Sequence, residues 1–368
     1  AVAAVDEDTA CEAAELIQVE YEPLPPLLTV AEALAEGTPV LHPHLDSNYA
    51  DDISMNFGDA QEAFAECDHT RVDEYTIHPS HSSFSEHHTV LADFSLPDRL
   101  TVWTPIQASI HIQMNMAFRL NLPQSSIRLM NLNTGGAFCG RGADLPHHYI
   151  AALLSKKAGK PVKIRCTAEE EFIVFHGGGR YDFRLTTGVK KDGTLVALQS
   201  KTVGTGGAYS EGGTGGVDFV IRELYACPNV RCENASVYIN AGPQRAFRAP
   251  GHPQGAWALE IMLDALAAKL GMDPVALRLK NVTLVSQTRN GNPKYTSTGF
   301  ADCLKNGAEA FGWTAARTRK PAASHIKRGV GVAGGMWQGG GGSPPATAIV
   351  KLFADGSANL NMGASDIG

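Results

Sequence analysis

Along this chain the spacing of apolar positions changes repeatedly between two residues and three to four. Period-two runs predict strands at Ala1–Val5, Gln18–Glu22, in a series of short segments from Val72 to Arg128, and at Ser126–Leu132, Val162–Cys166, Arg180–Val189 and Leu195–Val203. Helical spacing predicts Asp8–Ile17, capped by Asp8 or Thr9, then Val30–Glu36, Ile112–Leu120, Leu145–Ala158, Gln254–Leu270, Asp273–Asn281 and Ala301–Phe311. Thr167 faces Glu170 in a capping box, so a further helix starts near Ala168, and Glu169–Glu171 reads as a charge run complementing its dipole. Lys191-Asp192-Gly193 and Asp355-Gly356 are hairpin turn signals, the second joining Thr347–Phe353 to Ser357–Met362. Pro25-Pro26 closes the first unit, and the segment up to about Asn56 reads as irregular beyond the short helix. Strands and helices alternate without a strict βαβ rhythm, which predicts an α+β fold with mixed sheets. Gly339–Gly342 with Ser343 is the low-complexity patch.

The 368 residues are 43% hydrophobic, enough for a large core in one big domain or two. A net charge of −7 argues against nucleic acid as a partner. No apolar run approaches the roughly 20 residues that span a bilayer, and the first residues lack a basic signal-peptide region, so the expected setting is cytoplasmic. The seven cysteines form no close Cys-x-x-Cys pair; neither a disulfide framework nor an iron–sulfur site is signalled, and most are expected as buried small hydrophobes. The chain opens inside a strand pattern without methionine and stops soon after a hairpin, so it reads as a piece of something larger.

Two glycine-rich stretches carry the candidate chemistry. Asn133–Gly142 follows a strand and precedes a helix, while Asn240–Gln254 sets three prolines and two glycines around Arg245 and Arg248 before another helix. Such loops present free backbone N–H groups to an anion, which predicts a large anionic cofactor. Each has a plainer reading: a helix-entry turn for the first, and bracing of carbonyls by Arg248 in the second. His78, His81, Glu86, His87 and His88 invite a metal reading, but their spacing gives no helical ligand pair, and a structural or substrate-facing role is favoured. Of His147 and His148, on a helix with one buried face, one is expected to be satisfied and the other solvated.

The ordered set Tyr21-Glu22-Pro23-Leu24-Pro25, Thr104-Pro105-Ile106-Gln107, Gly135-Gly136-Ala137-Phe138, Gly206-Gly207-Ala208-Tyr209, Ala246-Phe247-Arg248-Ala249-Pro250-Gly251 and Leu270-Gly271-Met272-Asp273-Pro274 resembles the molybdopterin-binding large subunit of the molybdenum hydroxylases. That family includes xanthine dehydrogenase, aldehyde oxidoreductase and 4-hydroxybenzoyl-CoA reductase. The resemblance implies molybdopterin, or its cytosine dinucleotide form, as cofactor, with molybdenum held through the pterin, and 2Fe-2S clusters and FAD on partner subunits. It implies residues 1–33 as the end of a hammerhead domain and 34–368 as the first molybdopterin-binding domain. A second molybdopterin domain, which carries the family's glutamate base, would be missing, so this chain alone should not turn over. Gln107, Phe138 and Arg248 match catalytic positions. Gln107, Gly135, Gly136, Ala137, Phe138, Ala246, Phe247 and Arg248 match cofactor contacts, and Cys139, Glu86 and Pro250 would line the substrate pocket.

Departures from the family pattern shape the expected substrate. Cys139 stands where glycine usually follows the phenylalanine, Ala137 stands within a usual glycine run, and Arg141-Gly142 and Pro250 differ from purine-oxidising members. The expectation is an aldehyde, N-heterocyclic or aromatic substrate, including an aryl-CoA. Two alternatives stay open: a hydrolase or acyltransferase using Cys139 as nucleophile at a helix start, and a non-catalytic paralogue of the same fold.

Overall fold

A computed structural model describes residues 1–175, 177–209, 214–318, 325, 327–337 and 347–367. The strands are β1 (Tyr49–Phe57), β2 (His69–Ile77), β3 (Thr89–Leu96), β4 (Arg99–Thr104), β5 (Ile127–Asn131), β6 (Val162–Arg165), β7 (Tyr181–Val189), β8 (Leu195–Thr205), β9 (Asn229–Val237), β10 (Ala348–Leu352) and β11 (Ala358–Met362). The helices are α1 (Glu7–Glu15), α2 (Val30–Ala33), α3 (Ala60–Ala63), α4 (Ser109–Leu120), α5 (Pro146–Ala158), α6 (Ala168–Val174), α7 (Gly215–Glu223), α8 (His252–Leu270), α9 (Pro274–Lys280), α10 (Phe300–Phe311) and α11 (Trp313–Thr318).

Three sheets result, with orders β1-β9-β8-β7-β2, β5-β4-β3-β6 and β10-β11. Both larger sheets are mixed: β8 pairs parallel to β9 and β4 parallel to β5, while the other pairs are antiparallel. The α+β reading with mixed sheets therefore holds. In the five-stranded sheet, alternate residues Tyr181, Phe183 and Leu185 of β7 point to one face and meet Val217, Val220 and Ile221 of α7 and Leu259, Met262, Leu263 and Leu266 of α8. Each such side chain contributes about 1.5–3 kcal/mol by leaving water. The four-stranded sheet makes its own core from Val90, Ala92, Phe94, Leu100 and Val102 against Ile112 and Met116 of α4 and Ala151 and Ala152 of α5.

The strand patterns at Ala1–Val5 and Gln18–Glu22 do not form strands. Val5, Val19 and Tyr21 are exposed, and no strand among the described residues lies beside them to complete a ladder. The first helix starts earlier than expected, with Asp6 rather than Asp8 or Thr9 accepting from the Thr9 N–H. The segment read as irregular contains β1, because its pairing with β9 overrides a weak local pattern. The Thr167–Glu170 capping box, the turn at Gly193 and the β10–β11 hairpin form as expected. Residues 339–343, the low-complexity patch, lie outside the described residues. Three cysteines, Cys166, Cys227 and Cys232, are buried, whereas Cys11 and Cys303 are exposed and Cys67 and Cys139 are half-buried.

Candidate functional site

Between β5 and α5 the chain turns sharply. The Gly140 N–H donates to the Ala137 carbonyl at 2.7 Å, and the two central residues, Phe138 and Cys139, have φ of +44° and +69°. Left-handed conformations at both central positions describe a primed turn, which L-residues with a Cβ resist. The N–H groups of Gly136, Ala137, Phe138 and Cys139 find no acceptor among the described residues. A run of N–H groups without a protein acceptor is the kind of donor set that suits an anion, although Ala137 itself is buried.

The second stretch meets this turn directly. The Arg248 N–H donates to the Phe138 carbonyl at 2.9 Å, so two segments more than a hundred residues apart are joined by a main-chain bond. Ala249 (φ +61°) and Gly251 (φ +80°) bend the chain on either side of Pro250 into α8. The same stretch is held from behind: the Gln244 N–H donates to the Gly206 carbonyl at 2.8 Å, and the Arg245 N–H to that of Gly177 at 3.0 Å. Arg248 and Ala246 are exposed, and Phe247 and Pro250 are half-buried.

Gln107 arrives from the end of β4. Its N–H donates to the Arg141 carbonyl at 3.0 Å, and its side-chain carbonyl oxygen is buried with no partner among the described residues. Glu86, in the loop before β3, accepts the Gly135 N–H at 2.7 Å and lies 3.3 Å from the Arg141 guanidinium. Thus Gln107, Gly135–Cys139, Glu86 and Arg248 are brought together by hydrogen bonds. Ala246, Phe247 and Pro250 adjoin through the chain itself.

Sequence reasoning missed Arg141 as a site group. It is 1% exposed; burial pulls its guanidinium below the ordinary value, opposed by the Glu86 and Glu171 carboxylates. The signal was an arginine inside a glycine-rich loop, a place where its long side chain needs a buried partner. His81, His87 and His88 take structural roles of the kind favoured over metal ligation. His88 directs its N–H and Nδ1 to the Glu171 carboxylate, while His81 Nε2 contacts the Glu171 carbonyl at 2.8 Å and His87 Nδ1 that of Cys166 at 3.0 Å. Glu171 thus stands in the acidic first turn of α6 as expected and is also a buried partner of His88. Burial raises its carboxyl, but the His88 hydrogen bonds and charge outweigh that and hold it below the usual range.

His147 and His148 are both buried, because α5 packs that face on the four-stranded sheet, with His88 and Phe175 against His147. His148 accepts the Leu145 N–H at 3.0 Å and meets Thr104 at 3.3 Å, and burial lowers it to about 4; burial lowers His147 to about 2. No cluster of three or more metal-ligating side chains exists among the described residues. Cavities of about 510 Å³ beside Trp257 and Ile261, and of about 550 Å³ beside Arg222 and Arg289, lie away from Gln107, Phe138 and Arg248.

N–H groups at 136–139 without a protein acceptor suit the anionic atoms of a pterin-held cofactor, and the buried, unpartnered Gln107 carbonyl oxygen suits an N–H donor on such a group. Residues 41–282 match the molybdopterin cofactor-binding domain family. This chain belongs to the molybdopterin-binding family of the molybdenum hydroxylases. It is 32% identical over 312 residues to the nicotinate dehydrogenase large molybdopterin subunit of Eubacterium barkeri, which spans 84% of this chain and 73% of that one. It is 30% identical over 385 residues to the xanthine dehydrogenase molybdenum-binding subunit of Escherichia coli O157:H7, covering the whole of this chain and 50% of that one. Among solved structures, the aldehyde oxidoreductase of Desulfovibrio gigas superposes with a TM-score of 0.85 at 27% identity, over 96% of this chain and 40% of that one. This molybdopterin-binding chain therefore spans half or less of the E. coli and D. gigas proteins. No helix among its described residues is long and apolar enough to cross a membrane.

Proposed function

We propose that this chain is the first molybdopterin-binding domain, residues 34–368, of the catalytic subunit of a molybdenum hydroxylase-type oxidoreductase, preceded at residues 1–33 by the end of a hammerhead domain. The substrate is an aldehyde, an N-heterocycle or an aromatic compound, and electrons leave to iron–sulfur and flavin partner subunits in a cytoplasmic complex. The observation that carries this reading is the Arg248 N–H bond to the Phe138 carbonyl, which joins the two glycine-rich loops into one cradle. The names of two relatives, nicotinate dehydrogenase and the 6-hydroxypseudooxynicotine dehydrogenase complex of Paenarthrobacter nicotinovorans, favour the N-heterocyclic class.

The bound cofactor supplies two-electron redox chemistry at an electrophilic substrate carbon. The chain's own contribution is binding and orientation. The N–H groups of residues 136–139 hold anionic or polar atoms, the Gln107 amide presents a hydrogen bond in a buried setting, and the aromatic face of Phe138, 40% exposed, offers a wall for a planar substrate. Cys139, in its left-handed turn beside Phe138, sets the room left at that wall. The thiol-nucleophile alternative loses its basis: among the described residues no histidine bonds Cys139, and α5 begins only at Pro146, so the thiol is not at a helix start.

The test is molybdenum and pterin quantification on the native complex purified with its partners. Near-stoichiometric molybdenum and pterin per chain is the expected result. A full native complex holding neither overturns the reading and leaves the non-catalytic paralogue.

A further inference from the structure

We propose that Arg141, clamped between Glu86 and Phe84, is a positioning residue that sets the placement of three site segments at once: Gln107, the Gly135–Cys139 turn and Arg248. The inference deepens the proposed function and takes its catalytic meaning from it.

The contacts form one connected unit. The Arg141 Nη2 donates to the Glu86 carbonyl and lies 3.3 Å from the Glu86 carboxylate, while its Cζ sits 4.9 Å from the centre of the Phe84 ring. That ring stacks on the Phe138 ring at 5.9 Å and 22°, in the residue whose main-chain carbonyl accepts the Arg248 N–H. The same Glu86 carboxylate takes the Gly135 N–H at 2.7 Å, and the Arg141 carbonyl takes the Gln107 N–H at 3.0 Å. Glu86 therefore holds the entrance of the turn, Arg141 its exit, and the Phe84–Phe138 stack its apex. A Cβ on Gly135 would come within 2.7 Å of the Glu86 Cβ, so glycine is needed there for the carboxylate to reach the main chain.

An arginine suits this task because its Nη2 reaches both the carbonyl and the carboxylate of Glu86 while the planar guanidinium lies over the Phe84 ring, a flat stacking face that the compact lysine ammonium lacks. As a stabilising device it is a poor choice, because the buried Nε and Nη1 have no partner among the described residues and a buried charge is costly to desolvate. Its value lies in placing the chain around it. The strain in the Phe138–Cys139 turn points the same way: two left-handed L-residues in succession persist only where their surroundings over-determine them.

The test uses the native complex with R141M, R141K and E86Q, read by hydrogen–deuterium exchange resolved to single amides and by the molybdenum electron paramagnetic resonance signal. In R141M and R141K the Gly135, Gln107 and Arg248 amides should all exchange about tenfold faster or more, while Val102 and Leu259 in the two cores stay protected. The resonance signal should change at unchanged molybdenum content. Wild-type exchange at the three amides overturns the proposal, as does equal loss at Val102 and Leu259, which would mark a merely structural role. If R141M does not fold, E86Q reads the same three amides, with the same expected and overturning results. A metal-free wild type would sink the functional reading alone, since the exchange result judges the clamp independently.

Discussion

Phe138 and Cys139 carry the clearest mark of a constrained site, because neither residue type adopts left-handed φ without cost. The left-handed penalty of about 1–2 kcal/mol exceeds the additional backbone entropy of about 0.5–1 kcal/mol that a glycine loses on folding. C139G should therefore stabilise the fold by roughly 1 kcal/mol and raise the thermal midpoint, while C303S, an exposed substitution on α10, leaves it unchanged. Differential scanning fluorimetry on the two variants checks this, and a lower midpoint for C139G would mean that the thiol packs more favourably than its turn is strained. At this scale the sequence marked Phe138, Cys139 and Glu86 as candidates but not the contacts they make. Glu86, expected to line the substrate pocket, also accepts the Gly135 N–H and lies beside Arg141, a pairing across about fifty residues that no local pattern encodes.

At the scale of elements, the second loop owes its position to the crossing of α7 and α8. A Cβ at Gly255 would stand 2.5 Å from the Val217 carbonyl oxygen, and one at Gly251 2.6 Å from the Val217 N, so the helices approach nearer than any side chain allows. In an isolated helix, alanine is favoured over glycine by about 1 kcal/mol. Here the sign reverses: G255A should destabilise by about 1–3 kcal/mol through overpacking and shift the 246–250 loop that α8 carries. G215A, with nothing within 4 Å of the added methyl, should be neutral or stabilising. Thermal midpoints of the pair decide it; equal effects would show that the crossing yields freely. The sequence reading named α8 but not α7, nine residues that follow a glycine-rich run even though their apolar positions keep a helical period.

Across the whole molecule, buried titratable groups set opposing pH dependences. Burial depresses His147 to about 2 and His148 to about 4 from an ordinary 6.5. The unfolded chain thus binds more protons below about pH 6.5; their contribution is present above that pH and lost as pH falls toward 4. Asp218 runs the other way. Burial raises it from 3.8 to about 6, offset in part by its bond with Asn234, so its contribution is present below about pH 3.8 and lost as pH rises through 6. D218N should gain on the wild type by up to about 3 kcal/mol at pH 8, the gain shrinking toward pH 4, while H147F should gain increasingly as pH falls below about 6.5. Denaturant midpoints at pH 5, 6, 7 and 8 test both, and parallel curves for variants and wild type would refute the assignment. The β10–β11 hairpin stands apart from these cores: all its residues are exposed, so it adds little to the stability of this chain.

What the sequence determined by itself was local and ordered along the chain: the period of each long element, the capping box at Thr167, the turn at Gly193 and the order of short motifs that marks the molybdopterin-binding family. These depend on neighbours a few residues apart, where periodicity and turn chemistry act. What only the tertiary structure decided was pairing at a distance. The β1–β9 ladder, the Glu171–His88 contact, the burial of both histidines on α5, the empty edges at Ala1–Val5 and Gln18–Glu22 and the Glu86–Arg141 clamp each depend on which surface meets which. That choice is made by burial of the whole chain against water, and a hydrogen bond between residues far apart in sequence leaves no trace in the spacing of either.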